Sequence, residues 1–261
     1  MRTLLDGSTL LVPILGDPIF QVKAPALLTA EFVRLGRNTM VVPFHVAGDD
    51  FKQVVTSLHS VRNITGFIAT APHKFSASKQ CATLTSRAKI AGAASLVRRS
   101  NNGGWHGDLT DGLGFVRGIE AGGYHPAGGR ALLVGAGGAG SAIAFALLDA
   151  GVRQLAIYDF DRDKLSELMA RLDLIHPGKV VPGSINPTGF DLVVNATPLG
   201  MRADDPLPIE IAKLTPSTFV ADVVTSPEIT PLLAAAQAIG CNIQTGVGFF
   251  ASAMKLMVEF F

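Results

Sequence analysis

A glycine-rich segment carries the residues whose spacing points most directly to a chemical role. It fits the pattern G-x-G-x-x-G and consists of Gly135, Ala136, Gly137, Gly138, Ala139 and Gly140. A strand-like run precedes it and a helix-like run follows, which is the context in which this pattern binds the pyrophosphate of a dinucleotide. There the first glycine permits a tight turn, the second lets the backbone approach the phosphates, and the third allows close packing of the helix. The alternative is a structural glycine turn without a ligand, because the chain contains 28 glycines.

Asp159 bears on the choice of dinucleotide. It ends the next strand-like run, 24 positions after Gly135 (159 − 135 = 24). A carboxylate at such a place accepts hydrogen bonds from the hydroxyls of the adenosine ribose and repels a 2′-phosphate. We therefore predict NAD as the cofactor, with NADP as the alternative because two cations, Arg162 and Lys164, follow closely. Arg162 is itself a candidate cofactor-binding residue, and the other interpretation of Asp159 is a residue that only caps the strand end.

The composition describes a folded protein with a large apolar interior. Of the 261 residues, 48% are hydrophobic and 16% are charged, against about 25% charged in an average protein, which excludes an intrinsically disordered chain. The net charge of +1 gives no electrostatic footprint for nucleic acid or for an anionic membrane. The two cysteines, Cys81 and Cys241, are too far apart for a metal or redox motif, so we expect no metal site.

Residues 131–148 form an uncharged run of about the length of a membrane span. The glycines near its centre argue against a helix in lipid, and a buried strand, turn and helix explain the run better. At the N-terminus, Asp6 interrupts the apolar residues, and no segment of the signal-cleavage type follows. We therefore expect a cytoplasmic protein without a membrane partner.

The pattern along the chain predicts an α/β fold, because strand-like and helix-like runs alternate. In the first part, strands are expected at residues 9–15, 38–44 and 63–69, and helices at residues 25–35, 51–60 and 83–92. Residues 95–108 interrupt the alternation with a hairpin around an Asn-Asn-Gly-Gly turn. In the second part, strands are expected at residues 131–135, 154–159, 191–196, 219–224 and 242–244. A glycine- and proline-rich stretch at 124–130 separates the two parts, and residues 247–261 form a helix with one apolar face.

Six segments, in chain order, resemble the motifs of the shikimate/quinate dehydrogenase family. They lie at residues 16–19 (GDPI), 66–74 (GFIATAPHK), 91–93 (AGA), 107–114 (GDLTDGLG), 195–201 (NATPLGM) and 222–233 (DVVTSPEITPLL). The resemblance implies a reversible oxidation of a ring alcohol on a cyclohexene or cyclohexane carboxylate, with the hydride passing to nicotinamide. The expected partner is therefore a small cyclic hydroxy acid.

Lys74 and Asp111 are the residues that the resemblance places in the catalytic role. An ammonium beside a carboxylate can orient an alcohol and take its proton as the hydride departs. We expect Lys74 to be the acid/base, with Asp111 orienting the substrate or sharing that role. Judged by residue type alone, Lys74 is equally a surface lysine after a proline turn, and Asp111 a turn or cap residue. The resemblance also adds to the cofactor-binding residues Thr197, Pro198, Val223 and Gly246.

The chain departs from the family pattern where the substrate is expected. Where the family has Ser-x-Ser, this chain has Val22-Lys23-Ala24. Ile68 and Ser95 replace two asparagines of the family pattern, Thr225 replaces a tyrosine, and Ala253 replaces a glutamine near the C-terminus. Most of the hydroxyl and amide donors of the pattern are therefore absent. The candidate substrate-binding residues are Gln21, Val22, Ala24, Thr70, Ser95 and Thr225.

These departures leave three interpretations open. The first is a replacement set for the same or a similar acid, formed by Gln21, Lys23, Thr70, His73 and Ser95. The second is a pocket that accepts a different, less hydroxylated substrate with the same redox chemistry. The third is a regulator that binds dinucleotide without turnover, against which the retention of Lys74 and Asp111 argues.

The domain organisation follows from the same segments. We expect an N-terminal α/β substrate domain, residues 1–108 plus 239–261, and a Rossmann-type, doubly wound dinucleotide-binding domain at residues 109–238. Asp111 then lies at the boundary between them. The sequence leaves a homodimer open.

Overall fold

The computed structural model describes residues 5–20 and 22–261 of the chain. Gln21, one of the candidate substrate-binding residues, therefore lies outside the described part. The chain forms two compact units, of which the first runs to Thr110 and includes Met254–Phe261, while the second is Asp111–Ala253. None of the helices in the described part combines the length and the apolar character that a membrane crossing requires.

The first unit is a layered α/β structure. Its elements, in chain order, are β1 (Leu10–Gly16), α1 (Ala24–Arg34), β2 (Thr39–His45), α2 (Phe51–Leu58), β3 (Gly66–Ala69), α3 (Lys74–Gln80), β4 (Thr83–Leu84), α4 (Ser86–Ala91), β5 (Leu96–Arg99) and β6 (Trp105–Asp108). The strands form one sheet in the order β2-β1-β3-β5-β6-β4. β1 is parallel to β2 and β3, whereas β5 runs antiparallel to β3 and β6, so the expected hairpin is present as β5–β6.

Burial explains the apolar runs of this unit. β1 lies between β2 and β3 in the sheet, and its residues 12–16 are all buried, as is usual for parallel strands. α2 buries one stripe at helical spacing, Phe51, Val55 and Leu58. Phe51 meets Phe67 of β3 edge to face, with ring centroids 6.3 Å apart. The core of the unit therefore lies between the helices and the sheet.

The second unit is a doubly wound parallel sheet. Its elements are α5 (Asp111–Ala121), β7 (Arg130–Val134), α6 (Gly138–Asp149), β8 (Gln154–Tyr158), α7 (Arg162–Asp173), β9 (Val180–Pro182), β10 (Leu192–Asn195), β11 (Phe219–Asp222), α8 (Pro231–Ile239), β12 (Ile243–Gln244) and the start of α9 (Gly246–Phe260). The strand order is β12-β11-β10-β7-β8-β9, and all the pairs are parallel. The order reverses between β7 and β10, which is the switch point at which such sheets bind ligands, at the carboxyl ends of the strands. The prediction of an α/β fold with a Rossmann-type unit is confirmed.

Local differences from the sequence predictions have physical reasons. The helix expected at residues 83–92 is a short strand, β4, followed by α4, because Thr85 is extended and its hydroxyl caps α4 by accepting from the N–H of Ala88. Residues 239–253, expected in the first unit, belong to the second. They do so because β12 extends the second sheet beside β11 and Phe249 meets Phe115 of α5, with ring centroids 6.1 Å apart.

Candidate active site

Two of the motif glycines are required by the fold itself. Gly135 follows β7 with a φ of +110°, a conformation that favours glycine, and a Cβ there would lie 2.8 Å from the carbonyl carbon of Ala196. A Cβ on Gly140 would overlap the carbonyl oxygen of Gly135. These two glycines therefore close the turn between β7 and α6.

Gly137 differs from Gly135 and Gly140 because the fold of the protein does not require a glycine at this position. Its backbone is extended, with φ −70° and ψ −171°, which any residue adopts. A Cβ there would meet no atom within 4 Å in the described residues. The bare backbone at the start of α6 therefore faces open space, beside N–H groups that no earlier turn of helix can satisfy. This cradle fits the pyrophosphate of a dinucleotide.

Asp159 braces the glycine-rich turn. Its Oδ2 accepts a hydrogen bond from the N–H of Ala136 (2.7 Å), and its Oδ1 accepts one from the N–H of Asp161 (2.8 Å). The side chain is buried. A carboxylate has about four acceptor positions, so a structural brace and a ribose contact are compatible in one residue.

The two nearby cations have different surroundings. The ammonium of Lys164 pairs with the carboxylate of Asp161 at 2.8 Å, which also caps α7. Arg162 places its guanidinium 5.9 Å from the ring centroid of Tyr158. Lys164 is thus held by a neighbouring carboxylate, and Arg162 lies beside the end of β8.

The loops after β10 and β11 hold the other candidate cofactor residues. The hydroxyl of Thr197 donates to Oδ1 of Asn195 (2.6 Å) and accepts from the N–H of Leu199 (3.1 Å), so it is engaged within its own loop. Pro198 is exposed and Val223 is half-buried. A Cβ on Gly246 would overlap the carbonyl oxygen of Val224, so this glycine is required by packing at the start of α9.

Asp222 lies beneath these loops as a fully buried carboxylate. Burial is the largest influence on it and raises its pKa above the ordinary value. Hydrogen bonds from the N–H of Val224, the hydroxyl of Thr230 and the amide of Asn195 favour its charged form. Asp222 is not among the candidate residues predicted from the sequence, although it begins the motif at residues 222–233.

In the first unit, the structure brings Thr70, Lys74 and Ser95 to the carboxyl ends of β1 and β3. The N–H of Thr70 donates to the carbonyl of Leu15 (2.9 Å), and the carbonyl of Lys74 accepts from the N–H of Ala94 (2.9 Å). Ser95 is 2% exposed, and its hydroxyl has no hydrogen-bond partner among the described residues. Ser95 is therefore a buried hydroxyl, and the residue before it, Ala94, contacts the start of α3.

The surroundings of four other candidate residues are also defined. Val22 is half-buried, Lys23 is exposed and Ala24 is buried where α1 begins. His73 is a packing residue, because its Nε2 lies 2.7 Å from the carbonyl oxygen of Val46 and its ring stacks on Phe51 with centroids 4.6 Å apart. His73 is 1% exposed, so we do not retain it as a ligand.

Asp111 and Thr225 belong to the second unit. Asp111 is the first residue of α5 and is mostly buried. The next residue, Gly112, presses on α6, since a Cβ there would overlap the carbonyl oxygen of Ala142. Thr225 is half-buried in the loop after β11.

Two pairs of polar side chains in the first unit were not predicted from the sequence. The carboxylate of Asp108 accepts from Arg87 through two nitrogens and from the hydroxyl of Thr85 (2.6 Å). Nε2 of His45 lies 2.7 Å from Oδ1 of Asp17, where β2 and β1 end. Neither pair has a spacing signal in the sequence, because each joins residues more than twenty positions apart.

The fold and the glycine-rich turn define the class of dinucleotide-binding α/β proteins. A family model described as the shikimate dehydrogenase substrate binding domain matches residues 14–97. A model of the ThiF family matches residues 127–172, which hold the glycine-rich turn, α6, β8 and most of α7.

Relatives of the whole chain point to one family. The shikimate dehydrogenase (NADP(+)) of Rubrobacter xylanophilus is 35% identical over 244 residues, which cover 90% of this chain and 84% of that protein. The enzyme of the same name from Desulforamulus reducens is 36% identical over 255 residues, 93% of this chain and 86% of that protein. The chain therefore belongs to the shikimate dehydrogenase family, and the resemblance seen in the motifs is confirmed.

Solved structures agree with this assignment. Quinate dehydrogenase from Corynebacterium glutamicum, in complex with NAD, is 28% identical with a TM-score of 0.86, covering 96% of this chain and 93% of that one. The ligand-free 5-ketofructose reductase of Gluconobacter sp. strain CHM43 is also 28% identical, with a TM-score of 0.83 and coverage of 97% and 92%. Proteins with this fold are therefore named for different substrates.

Proposed function

We propose that this chain is an NAD-preferring oxidoreductase that interconverts a ring hydroxyl and a ketone on a shikimate- or quinate-type acid. Reduction of 3-dehydroshikimate is the representative reaction. The observation that carries the proposal is the similarity to shikimate dehydrogenases over about nine-tenths of the chain. Within it, the segments that bear Lys74 and Asp111 are retained.

The cofactor part of the proposal is supported by the surroundings of Gly137. A dinucleotide would be bound at the start of α6 by the free N–H groups of the helix. Because Gly137 has no side chain, the pyrophosphate could approach the backbone closely. Asp159 would accept hydrogen bonds from the adenosine ribose at the end of β8. When bound, the nicotinamide supplies a hydride acceptor in oxidation and a hydride donor in reduction.

The proton chemistry is assigned to Lys74 and Asp111. In oxidation, Lys74 takes the proton of the hydroxyl while the carbon loses its hydride, and in reduction it returns the proton to the new alkoxide oxygen. Asp111 orients the alcohol by accepting a hydrogen bond from its hydroxyl. Thr70 and Ser95 are the polar side chains proposed to contact the other oxygens of the substrate.

A direct assay tests this function. Purified protein is mixed with NAD or NADP and with each member of a panel of ring hydroxy acids that includes shikimate and quinate, while the absorbance of reduced nicotinamide is followed. We expect turnover with at least one acid and loss of turnover in Lys74→Met. Dinucleotide binding without turnover on any acid would contradict the enzymatic assignment and favour a regulator.

A second candidate is the same chemistry on another cyclic hydroxy acid with fewer polar contacts. The observation that favours it is the apolar pair Val22 and Ala24, half-buried and buried, where the family pattern has hydroxyl residues. The panel of acids decides between the two candidates. If the second is correct, a less hydroxylated acid has a higher kcat/KM than shikimate or quinate. Polyhydroxy ketones are added to the panel because one protein of similar structure is named a 5-ketofructose reductase.

Two further parts of the proposal concern the state of the protein. A cytoplasmic location remains a prediction from the sequence, and the sequence leaves a homodimer open. Light scattering over a range of protein concentrations tests the second point, because a dimer mass that persists on dilution would establish a homodimer.

A further inference from the structure

A chain of buried polar side chains joins the carboxyl ends of β10 and β11. The amide nitrogen of Asn195 donates to Oδ1 of Asp222 (3.1 Å), and the hydroxyl of Thr230 donates to Oδ2 (2.8 Å). These three side chains are 1%, 0% and 0% exposed, respectively. They therefore exchange hydrogen bonds with one another and with nearby backbone rather than with bulk water.

The same side chains fix the two loops that follow these strands. Asn195 holds the first loop, since its Nδ2 donates to the carbonyl of Leu199 (2.9 Å) and its Oδ1 accepts from the N–H of Thr197 (3.1 Å). Asp222 holds the second loop by accepting from the N–H of Val224 (2.9 Å). Thr230 links both to α8, whose start it caps by accepting from the N–H of Leu233.

The position of this network in the sheet relates it to the cofactor. Asp159 ends β8, on one side of the glycine-rich turn, and is assigned to the adenosine ribose. A dinucleotide that crosses the switch point then extends its other half over β10 and β11. The first loop also adjoins the turn, because a Cβ on Gly135 would lie 2.8 Å from the carbonyl carbon of Ala196. Both loops thus flank the expected place of the nicotinamide half.

A sheet of this kind does not need such a network for its own stability. Burying a carboxylate carries a desolvation cost, and apolar side chains of similar size stabilise an interior at least as well. What the hydrogen bonds add is a fixed geometry, because they tie these side chains to one another and to the backbone of both loops. The network therefore serves to hold two loops in one arrangement.

We propose that Asp222 is a positioning residue for the nicotinamide half of the cofactor, acting through the loops at residues 196–200 and 223–225. This inference rests on the proposed dinucleotide-dependent function. Asp222 itself contacts neither cofactor nor substrate in this proposal. Its carboxylate aligns the two loops so that the ring is held for hydride transfer.

The test compares two ligands in the variant Asp222→Asn. The amide keeps one oxygen acceptor and replaces the other by an N–H₂ donor, so at least one of the donors of Asn195, Val224 and Thr230 loses its acceptor. NAD contains the nicotinamide, whereas adenosine diphosphate contains only the adenosine half with its two phosphates. We expect the Kd for NAD to rise about tenfold and kcat to fall by about tenfold to a hundredfold, since small misplacements of reacting groups have effects of this size. The Kd for adenosine diphosphate should stay within about twofold, because its contacts lie on the other side of the turn.

Matched variants separate positioning from general damage. Asp191→Asn removes a carboxylate that accepts from the N–H of Arg130 (2.7 Å) just before β10 begins, at the other end of the same strand, and should leave both Kd values unchanged. Thr230→Ser keeps the hydroxyl and should behave as the wild type, whereas Thr230→Val removes it and should weaken NAD binding alone. Thr230→Val also decides the question if Asp222→Asn does not fold.

The outcomes are distinct. Unchanged NAD binding in Asp222→Asn and Thr230→Val overturns the inference and leaves the proposed function standing. An equal loss of both ligands also overturns it, because this indicates damage to the whole unit. Failure of the wild type to bind either ligand overturns the inference together with the proposed cofactor.

Discussion

The N–H of Ala136 donates a hydrogen bond of 2.7 Å to Oδ2 of Asp159, which joins the glycine-rich turn to the end of β8. The other carboxylate oxygen is fixed by the N–H of Asp161. Asp159 therefore has a set orientation in the protein alone, before any ligand arrives. A residue oriented in advance loses little side-chain entropy on binding a ribose. In the proposed ribose contact, its negative charge would repel a 2′-phosphate.

The first prediction concerns this choice of cofactor. We expect kcat/KM to be at least about tenfold higher with NAD than with NADP, because hydrogen bonds to a charged group contribute about 1.5–3 kcal/mol and the 2′-phosphate is repelled. Asp159→Asn keeps an acceptor for the N–H of Ala136 but removes the charge. It should therefore lower the ratio of kcat/KM with NAD to kcat/KM with NADP by about tenfold. Steady-state kinetics with both cofactors provide the measurement.

Arg162→Gln is the matched variant for this experiment. If the guanidinium beside Tyr158 binds a 2′-phosphate, the substitution lowers efficiency with NADP and leaves NAD unaffected. A wild-type preference of tenfold or more for NADP, the cofactor in the names of the curated relatives, would overturn the assignment of Asp159.

The second prediction separates a ligand-binding glycine from a structural one. Gly137→Ala should fold with wild-type stability, because its backbone is extended and the new methyl group has open space among the described residues. It should nevertheless weaken NAD binding by about tenfold or more, since the methyl group keeps the pyrophosphate from the backbone. Calorimetric titration with NAD and a thermal melt of the same sample measure the two quantities.

Gly140→Ala is the control with the opposite pattern. Its Cβ would overlap the carbonyl oxygen of Gly135, so the Tm should fall because the backbone of the turn must move. Normal NAD affinity in Gly137→Ala would show that the turn is only structural, which is the alternative left open by its sequence.

The glycine-rich turn shows what sequence can predict here. Its residues are contiguous, and both the strand before it and the helix after it have local apolar patterns, so the motif, the turn and the fold class follow from neighbouring residues alone. The structure adds a distinction that the pattern lacks: Gly135 and Gly140 are needed by the fold, and Gly137 is not.

The polar networks show what sequence cannot predict. Arg87 meets Asp108 across 21 positions, and Asn195 meets Asp222 across 27. These contacts depend on which helices and strands are neighbours in the fold, and a local sequence pattern does not contain that information. His73 is a similar case, because only the tertiary fold reveals that its ring is buried on Phe51.

The third prediction concerns the proposed acid/base residues. Lys74→Met and Asp111→Asn should each lower kcat by about a hundredfold or more, because proton transfer by a positioned group contributes at least that factor. The Kd for NAD should not change, since neither residue is assigned to the cofactor. Lys79→Met, an exposed lysine in the last turn of the same helix as Lys74, is the control and should keep wild-type turnover. Near-normal kcat in either test variant removes that residue from the mechanism.

The fourth prediction is a pH dependence of stability at Asp108. Burial is the largest single influence on this carboxyl and acts to raise its pKa, but hydrogen bonds from Arg87, Thr85 and the N–H of Leu109 together outweigh it. The native pKa is therefore below the ordinary value of 3.8. For an acid with a lowered native pKa, the stabilisation is fully present above the unfolded pKa and is lost as pH falls through the native one.

Asp108→Asn should accordingly lower the free energy of unfolding at neutral pH by about 2 kcal/mol, which is typical of a lost hydrogen-bonded charge. The deficit should persist down to about pH 4 and shrink below it, as the wild-type carboxyl becomes protonated. Urea unfolding followed by the fluorescence of Trp105, the single tryptophan of the chain, reports on the unit that contains both residues. Asp50→Asn is the control, because this exposed residue precedes α2 without a side-chain capping hydrogen bond, and it should change stability by less than about 0.5 kcal/mol. A deficit of equal size at acid and neutral pH would show that the carboxylate charge is not what stabilises the native state.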